Sequence, residues 1–285
     1  MHITDLATPF LSHYKNEATY FEQTFEHHPD VYNFYFTRHC YRKEEKLQVA
    51  LATYSNRLNE MQEVTSKILH HLPKITSYYE SFFQLSFNGE AHLFVGLGGS
   101  NAYTTHSLQP GLGFCVEKIR NDEASIRVLI AHELGHCVHH YATFEAKGTV
   151  YQIDWGSPYT WLLQEGLATY LSMQAVNVER HFYFVSEGDK DWLAFVQQNK
   201  ALIFKRFRKD LALYSTEEIF KEWFSINGGN TFGYTRLAYF IGFELVSKIV
   251  EQNGLDAAIL FWLQPEYKNK VIQLLISETV EATFA

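Results

Sequence analysis

The chain has 285 residues, 46% of them hydrophobic, and a formal net charge of -8 at pH 7. This length and apolar fraction allow a sizeable buried core, and the acidic balance argues against a nucleic-acid partner because phosphate-binding surfaces are usually basic. The sequence shows neither a basic leader followed by an apolar run nor a span of about 20 apolar residues. Cys40, Cys115 and Cys137 form no CxxC pair, which is typical of reduced thiols. We therefore expect a cytoplasmic protein without a membrane partner.

The first third of the chain is predicted to be helical. Apolar residues recur at three- and four-residue spacing from about Tyr14 to Phe87, with Pro29 and Pro73 as expected breaks. Two short apolar runs then predict a small sheet with strands at His92–Leu97 and Gly113–Ile119. The polar segment between them, residues 98–111, is predicted to be a loop.

Helices are predicted for most of the remaining chain. Asp122 and Glu123 mark a helix start, since acidic groups favour unsatisfied N–H donors, and this helix should continue to about Tyr141. Ser157-Pro158 predicts a second helix from Tyr159 to Ala175. Further helical patterns cover Asp191–Lys209, Thr231–Gln252, Leu255–Trp262 and Tyr267–Ser277. The predicted fold class is therefore mainly α with a small β-sheet (α+β).

The most informative motif is His132-Glu133-Leu134-Gly135-His136. Two histidines four residues apart lie on the same face of a helix, so both imidazoles can reach one ion, while Glu133 projects beside it. The pattern predicts one Zn²⁺ per chain, held partly by His132 and His136, with Glu133 as the general base.

A catalytic zinc site needs a third protein ligand and leaves its fourth position for water. His139 lies about 7–8 Å along the helix axis from the midpoint of the first two ligands, at about 1.5 Å per residue, and is too far. We expect His139 and His140 to be surface residues or to lie in a second layer. Glu165 is the better candidate because it lies in a capped helix that carries Gly166. Gly135 in the HExxH helix and Gly166 in this one predict that the two helices cross closely at a shared metal.

These residues resemble the gluzincin metallopeptidases, which join an HExxH helix to a Glu on a following helix. HELGH and WLLQEGLATY, at residues 161–170, are similar to the HExxH and WLxEGxAxY patterns of the aminopeptidase branch. With AYFIGFELV, at residues 238–246, they resemble a bacterial family described as predicted zinc-dependent proteases. The resemblance runs from about Leu93 to Val246 and implies that His132, His136 and Glu165 bind zinc. It also implies a zincin-like active-site helix pair in a metallopeptidase region, residues 91–285. The helical spacing of the first third makes residues 1–90 a separate N-terminal helical region, although one compact unit also fits the chain.

The sequence departs from the gluzincin pattern in three places. The separation of His136 from Glu165 exceeds the roughly 20 residues common in the best-known branches and leaves a loop at about Phe144–Gly156. Thr169 stands where thermolysin-like members have an Asp that orients the ligand histidines. Residues 98–103 lack the acid with which aminopeptidases hold the substrate amine, which favours cleavage inside chains.

The resemblance also implies residues that contact the substrate. Asn101 and Ala102 are similar to the edge-strand Asn-Ala of the thermolysin branch, whose backbone pairs with extended substrate; an asparagine in an ordinary turn is the alternative. In related enzymes a Tyr or His of a later helix stabilises the oxyanion. Tyr239 is the first candidate for this role and Tyr234 the second, although a buried structural tyrosine fits either position.

The sequence thus predicts a zinc metallopeptidase that acts on peptides or unfolded protein, as an endopeptidase or oligopeptidase. Two alternatives remain open. One is a catalytically silent, zinc-bound scaffold or binding protein, against which the retention of Glu133 counts because a structural zinc site needs no base. The other is a zinc hydrolase of non-peptide amides, which shares the same electrophile and differs only in its pocket.

Overall fold

The computed structural model describes residues 1–107, 109–149, 152–184 and 190–281. Helices dominate the described residues and one small sheet accompanies them, so the predicted fold class is confirmed. The chain forms two compact units, Met1–Cys137 and Val138–Ala285. No helix in the described part of the chain is both long and apolar enough to cross a membrane.

The first unit contains a four-stranded mixed sheet. Its strands are β1 (His2–Asp5), β2 (Glu90–Phe94), β3 (Ala102–Thr104) and β4 (Leu112–Cys115). Their order is β1-β2-β4-β3, in which β1, β2 and β4 run parallel and β3 pairs antiparallel with β4 at the edge. The outer side of β3 is therefore not paired within this sheet.

The helices of the first unit cover most of its remaining length. They are α1 (Ala7–Ser12), α2 (Ala18–His27), α3 (Pro29–Arg38), α4 (Lys43–Thr53), α5 (Leu58–Phe83) and the first part of α6 (Glu123–Lys147). Pro29 opens α3, as its fixed φ angle allows. Pro73 was expected to break a helix but lies inside α5. The buried stripe of α5 continues from Ile68 and Leu72 to Ile75, and this packing offsets the missing hydrogen bond.

The sheet differs from its prediction in several respects. The first predicted strand, His92–Leu97, is Glu90–Phe94 in the structure. The second predicted strand ends at Cys115, because Val116–Lys118 forms a 3₁₀ turn. This turn buries Glu117, whose carboxylate accepts the N–H groups of Gly96 and Gly98 at 3.0 and 2.9 Å, and burial raises the pKa of that carboxyl. Strand β1 was not predicted, and β3 was implied only by the resemblance of Asn101 and Ala102 to an edge strand, not by the apolar pattern. β3 lies in the segment predicted to be a loop, of which Leu108 is outside the described residues.

The second unit is helical. Its helices are the last part of α6, then α7 (Pro158–Ala175), α8 (Lys190–Gln198), α9 (Lys200–Leu213), α10 (Thr216–Ile219), α11 (Leu237–Asn253), α12 (Leu255–Ile259) and α13 (Tyr267–Glu281). Helix α6 extends six residues beyond Tyr141 and takes in the start of the predicted loop, whose residues 150 and 151 are outside the described part.

Several predicted helices of the second unit had wrong bounds. The helix predicted at Leu255–Trp262 ends at Ile259, and a 3₁₀ turn covers Phe261–Leu263. The helix predicted at Asp191–Lys209 is two helices separated at Asn199. The helix predicted to begin at Thr231 begins at Leu237. Gly229 and Gly233, at φ 78° and 76°, lie in turns just before α11, a conformation that glycine adopts without strain and that does not continue a helix.

Helices α7 and α11 approach each other at two glycines. A Cβ on Gly166 would lie 2.2 Å from the carbonyl oxygen of Gly242, and a Cβ on Gly242 would lie 2.3 Å from that of Leu162. The close approach predicted between Gly166 and the HExxH helix is therefore made with α11 instead. Both contacts are with backbone atoms, which a rotamer change cannot relieve.

We expect Gly166→Ala to lower the free energy of unfolding by about 1–3 kcal/mol, since the added methyl group forces the two backbones apart. Urea titration followed by circular dichroism measures this change. Gly156→Ala is the matched control, because its Cβ would lie 3.7 Å from its nearest neighbour, Asp154 Oδ1. Equal unfolding midpoints for the two variants would contradict the close packing of α7 and α11 at Gly166.

Candidate metal centre

The HExxH motif lies in the middle of helix α6, as predicted. The rings of His132 and His136 have centroids 4.7 Å apart and are nearly perpendicular, at 88°. His136 and Glu133 are buried, and His132 is half-buried. The two imidazoles are therefore close enough to share one ion, as the i and i+4 spacing requires.

Glu165 lies in the second turn of α7 and is half-buried. One ligand atom from each of His132, His136 and Glu165 lies within 4.8 Å of the other two. Ligands bound to one zinc ion at about 2.0–2.1 Å lie roughly 3.3 Å apart in a tetrahedral site. Two imidazole nitrogens and one carboxylate oxygen also form the donor set of a catalytic zinc site with one open position. The three residues therefore fit a zinc ion.

The carboxylate of Glu133 has a specific partner in the first unit. Thr104 Oγ1, on the edge strand β3, lies 2.8 Å from Glu133 Oε2 and 3.0 Å from the Glu133 carbonyl oxygen. Thr104 was not predicted as a site residue. A signal was present, because Thr104 lies two residues after Ala102, the residue that the resemblance places on an edge strand, and so on the same face of that strand.

Asn101 and Ala102 lie where the edge-strand resemblance implies. Ala102 begins β3 and pairs with Phe114 of β4. The Asn101 carbonyl oxygen accepts the N–H of Cys115 at 2.8 Å, and its side-chain oxygen accepts the N–H of Ala102 at 2.9 Å. Asn101 thus fixes the backbone conformation at the start of the edge strand. Contact of this strand with substrate stays a prediction.

Two further imidazoles lie near this end of the sheet. The ring of His39 stacks on Tyr103 at 4.0 Å and 9°. Burial, with smaller effects from His106 and Arg38, lowers the pKa of His39 to about 4. Burial, followed by the nearby His136 and then Arg38, lowers the pKa of His106 to about 4. Both imidazoles are therefore neutral at pH 7, and sequence reasoning had assigned a role to neither.

Tyr239 and Tyr234 both belong to the second unit. Tyr239 lies in the first turn of α11, half-buried, with the guanidinium of Arg236 5.8 Å from its ring centroid. Tyr234 precedes α11 and stacks on Phe195 at 4.5 Å and 27°. Because α11 packs on α7 through Gly242, Tyr239 and Glu165 lie on neighbouring helices. Their roles at the oxyanion remain predictions.

His139 and His140 are buried, so of the two placements expected for them, at the surface or in a second layer, the surface is excluded. His139 stacks on Trp262 with centroids 3.4 Å apart, and His140 meets Trp155 edge-on at 5.2 Å. The indole N–H of Trp262 also donates to Thr143 Oγ1 at 2.9 Å. Neither histidine belongs to the group of candidate ligands.

Residues 10–267 match the family described as "putative zinc dependent peptidase (DUF5700)". This match covers most of the chain, and the protein belongs to that family. No curated protein and no solved structure matches the chain significantly.

Proposed function

We propose that this protein is a zinc-dependent endopeptidase or oligopeptidase with Glu133 as its general base. The observation that carries the proposal is the group formed by His132, His136 and Glu165, whose ligand atoms lie within 4.8 Å of one another, with Glu133 beside it on α6. Metal-assisted hydrolysis requires a base next to an open position on the metal. A structural zinc site is instead closed by a fourth protein ligand. Membership of the family described as "putative zinc dependent peptidase" supports the zinc peptidase part of this proposal.

In this proposal, His132, His136 and Glu165 would hold the metal, which would supply polarisation of the scissile carbonyl and a lower pKa, about 7, for the attacking water. Glu133 accepts the proton of that water and returns it to the leaving amine nitrogen. Tyr239, or else Tyr234, donates its hydroxyl proton in a hydrogen bond to the oxyanion.

The edge strand supports extended peptide as the substrate class. The outer side of β3 is free of partners within the described sheet, and an extended peptide adds to such an edge through main-chain hydrogen bonds. Residues 98–103, which lead into this strand, contain no carboxylate to hold an N-terminal amine. The absence of that acid favours cleavage inside a chain over removal of the first residue.

The test is mass-spectrometric profiling of a diverse peptide library with the zinc-loaded protein, beside the same protein stripped by a chelator. We expect internal cuts that disappear on stripping and return with zinc. Release of single N-terminal residues would contradict the endopeptidase assignment. A complete lack of cuts with zinc measured as bound would contradict peptidase activity and favour the silent scaffold or the hydrolase of non-peptide amides.

A further inference from the structure

We propose that Thr104 is a positioning residue for Glu133, an inference that rests on the proposed function. Its hydroxyl group holds one carboxylate oxygen of Glu133, Oε2, in a hydrogen bond of 2.8 Å. The other oxygen, Oε1, is then the one that receives the proton of the attacking water. Thr104 thereby fixes the orientation of the base without contacting the reacting atoms.

The hydroxyl of Thr104 has one proton and two oxygen acceptors, Oε2 and the carbonyl oxygen of Glu133 at 2.8 and 3.0 Å. The thiol of Cys137 is also within reach, but sulfur is only a weak acceptor. The carbonyl lies inside α6, where it also accepts a helical N–H. A hydrogen bond to an ionised carboxylate is shorter and about twice as strong as one between neutral groups. The proton therefore goes to Oε2 whenever Glu133 is ionised, which is the state that a base requires.

The strand that carries the hydroxyl group is itself held in place. The ring of Tyr103, on the other face of β3, stacks on His39 and covers Gly113 so closely that a Cβ there would lie 2.2 Å from a ring carbon. Thr104 pairs with Leu112 of β4, and its β-branched side chain restricts the χ1 angle. The donor is thus preorganised, and the carboxylate adjusts to it.

The same three-residue strand joins substrate binding to the base. Ala102 and Thr104 share one face of β3, and the outer side of this strand is where we propose that extended substrate pairs. Glu133 is buried, and burying a carboxylate is costly unless hydrogen bonds compensate. Thr104 supplies such a bond from the strand that would hold the substrate. The position of the Glu133 carboxylate relative to the scissile bond is therefore fixed by the same strand.

The decisive comparison is between Thr104→Val, which keeps the shape and removes the donor, and Thr104→Ser, which keeps the donor. With a peptide that the zinc-loaded protein cleaves, we expect Thr104→Val to lower kcat by about 10- to 100-fold, as for other residues that orient a metal-site group. In Thr104→Val, KM and the amount of bound zinc should not change. Thr104→Ser should keep most of the wild-type kcat. Thr105→Val is the matched control, because that hydroxyl contacts Ser107 and the N–H of Gly111 instead.

An unchanged kcat in Thr104→Val would overturn the inference and leave the peptidase assignment intact. Equal losses of kcat in the Val and Ser variants, or a loss of bound zinc in the Val variant, would also overturn it, because they indicate a structural role. A wild-type protein that holds zinc but cleaves no peptide would overturn the proposed function and this inference with it.

Discussion

Replacing Glu133 by Gln is expected to lower kcat/KM for peptide cleavage by about 10²–10⁴-fold, the usual contribution of a positioned general base. The amide of Gln has nearly the shape of the carboxylate and still offers an oxygen to the hydroxyl of Thr104, which lies 2.8 Å from Glu133 Oε2. It has no basic oxygen, however, and cannot accept the proton of the attacking water. The variant should therefore fold, keep its zinc and lose the chemical step.

Steady-state kinetics, with zinc measured by elemental analysis on the same samples, checks this prediction. Glu145→Gln is the matched control, because Glu145 is an exposed residue near the end of the same helix and its replacement should leave kcat/KM unchanged. Full activity in Glu133→Gln would mean that another group acts as the base. Activity lost together with zinc would mean that Glu133 contributes to metal binding.

Replacing Glu165 by Gln is expected to weaken zinc binding more than about 100-fold, because residues that only orient metal ligands already contribute about 10- to 100-fold. Its ligand atom lies within 4.8 Å of those of His132 and His136, and a neutral amide oxygen is a poorer donor to Zn²⁺ than a carboxylate. Helix α7 should remain intact, since the glycine contact with α11 is untouched.

Competition with a chromophoric zinc chelator measures the affinity of Glu165→Gln, and thermal unfolding gives an independent readout. At about 100 times its Kd, a ligand adds about 2.7 kcal/mol to the free energy of unfolding. The variant should lose most of that gain at the same free zinc concentration, whereas Gln164→Ala, a change at the neighbouring half-buried residue, should keep it. Wild-type zinc affinity in Glu165→Gln would exclude Glu165 as the third ligand.

The periodic parts of the structure could be predicted because their cause is local. The helix of the HExxH motif begins at Glu123 and α7 ends at Ala175, both as predicted, since capping residues and apolar spacing act within a few turns. The common face of His132 and His136 follows from helix geometry alone. The helix break predicted at Pro73 was wrong, because burial of one face of α5 outweighs the tendency of proline to interrupt a helix.

The edge strand had no readable pattern because its cause is not local. β3 has three residues in a polar segment, and it is a strand because Ala102 and Thr104 pair with Phe114 and Leu112 of β4. Short strands of this kind depend on a partner that only the folded chain supplies. The hydrogen bond from Thr104 to Glu133, 29 residues apart, could not be foreseen without that strand.

The sequence by itself determined which side chains form the candidate site, because helix geometry puts His132 and His136 on one face and the motif around Glu165 marks the third member of the group. Only the tertiary structure decided which groups surround it. Gly166 indicated that another helix packs closely against α7, but only the folded structure shows that this neighbour is Gly242 of α11. Similarly, His139 is buried because its ring stacks on Trp262. Side-chain contacts between distant elements depend on how those elements pack, and packing is a property of the whole folded unit.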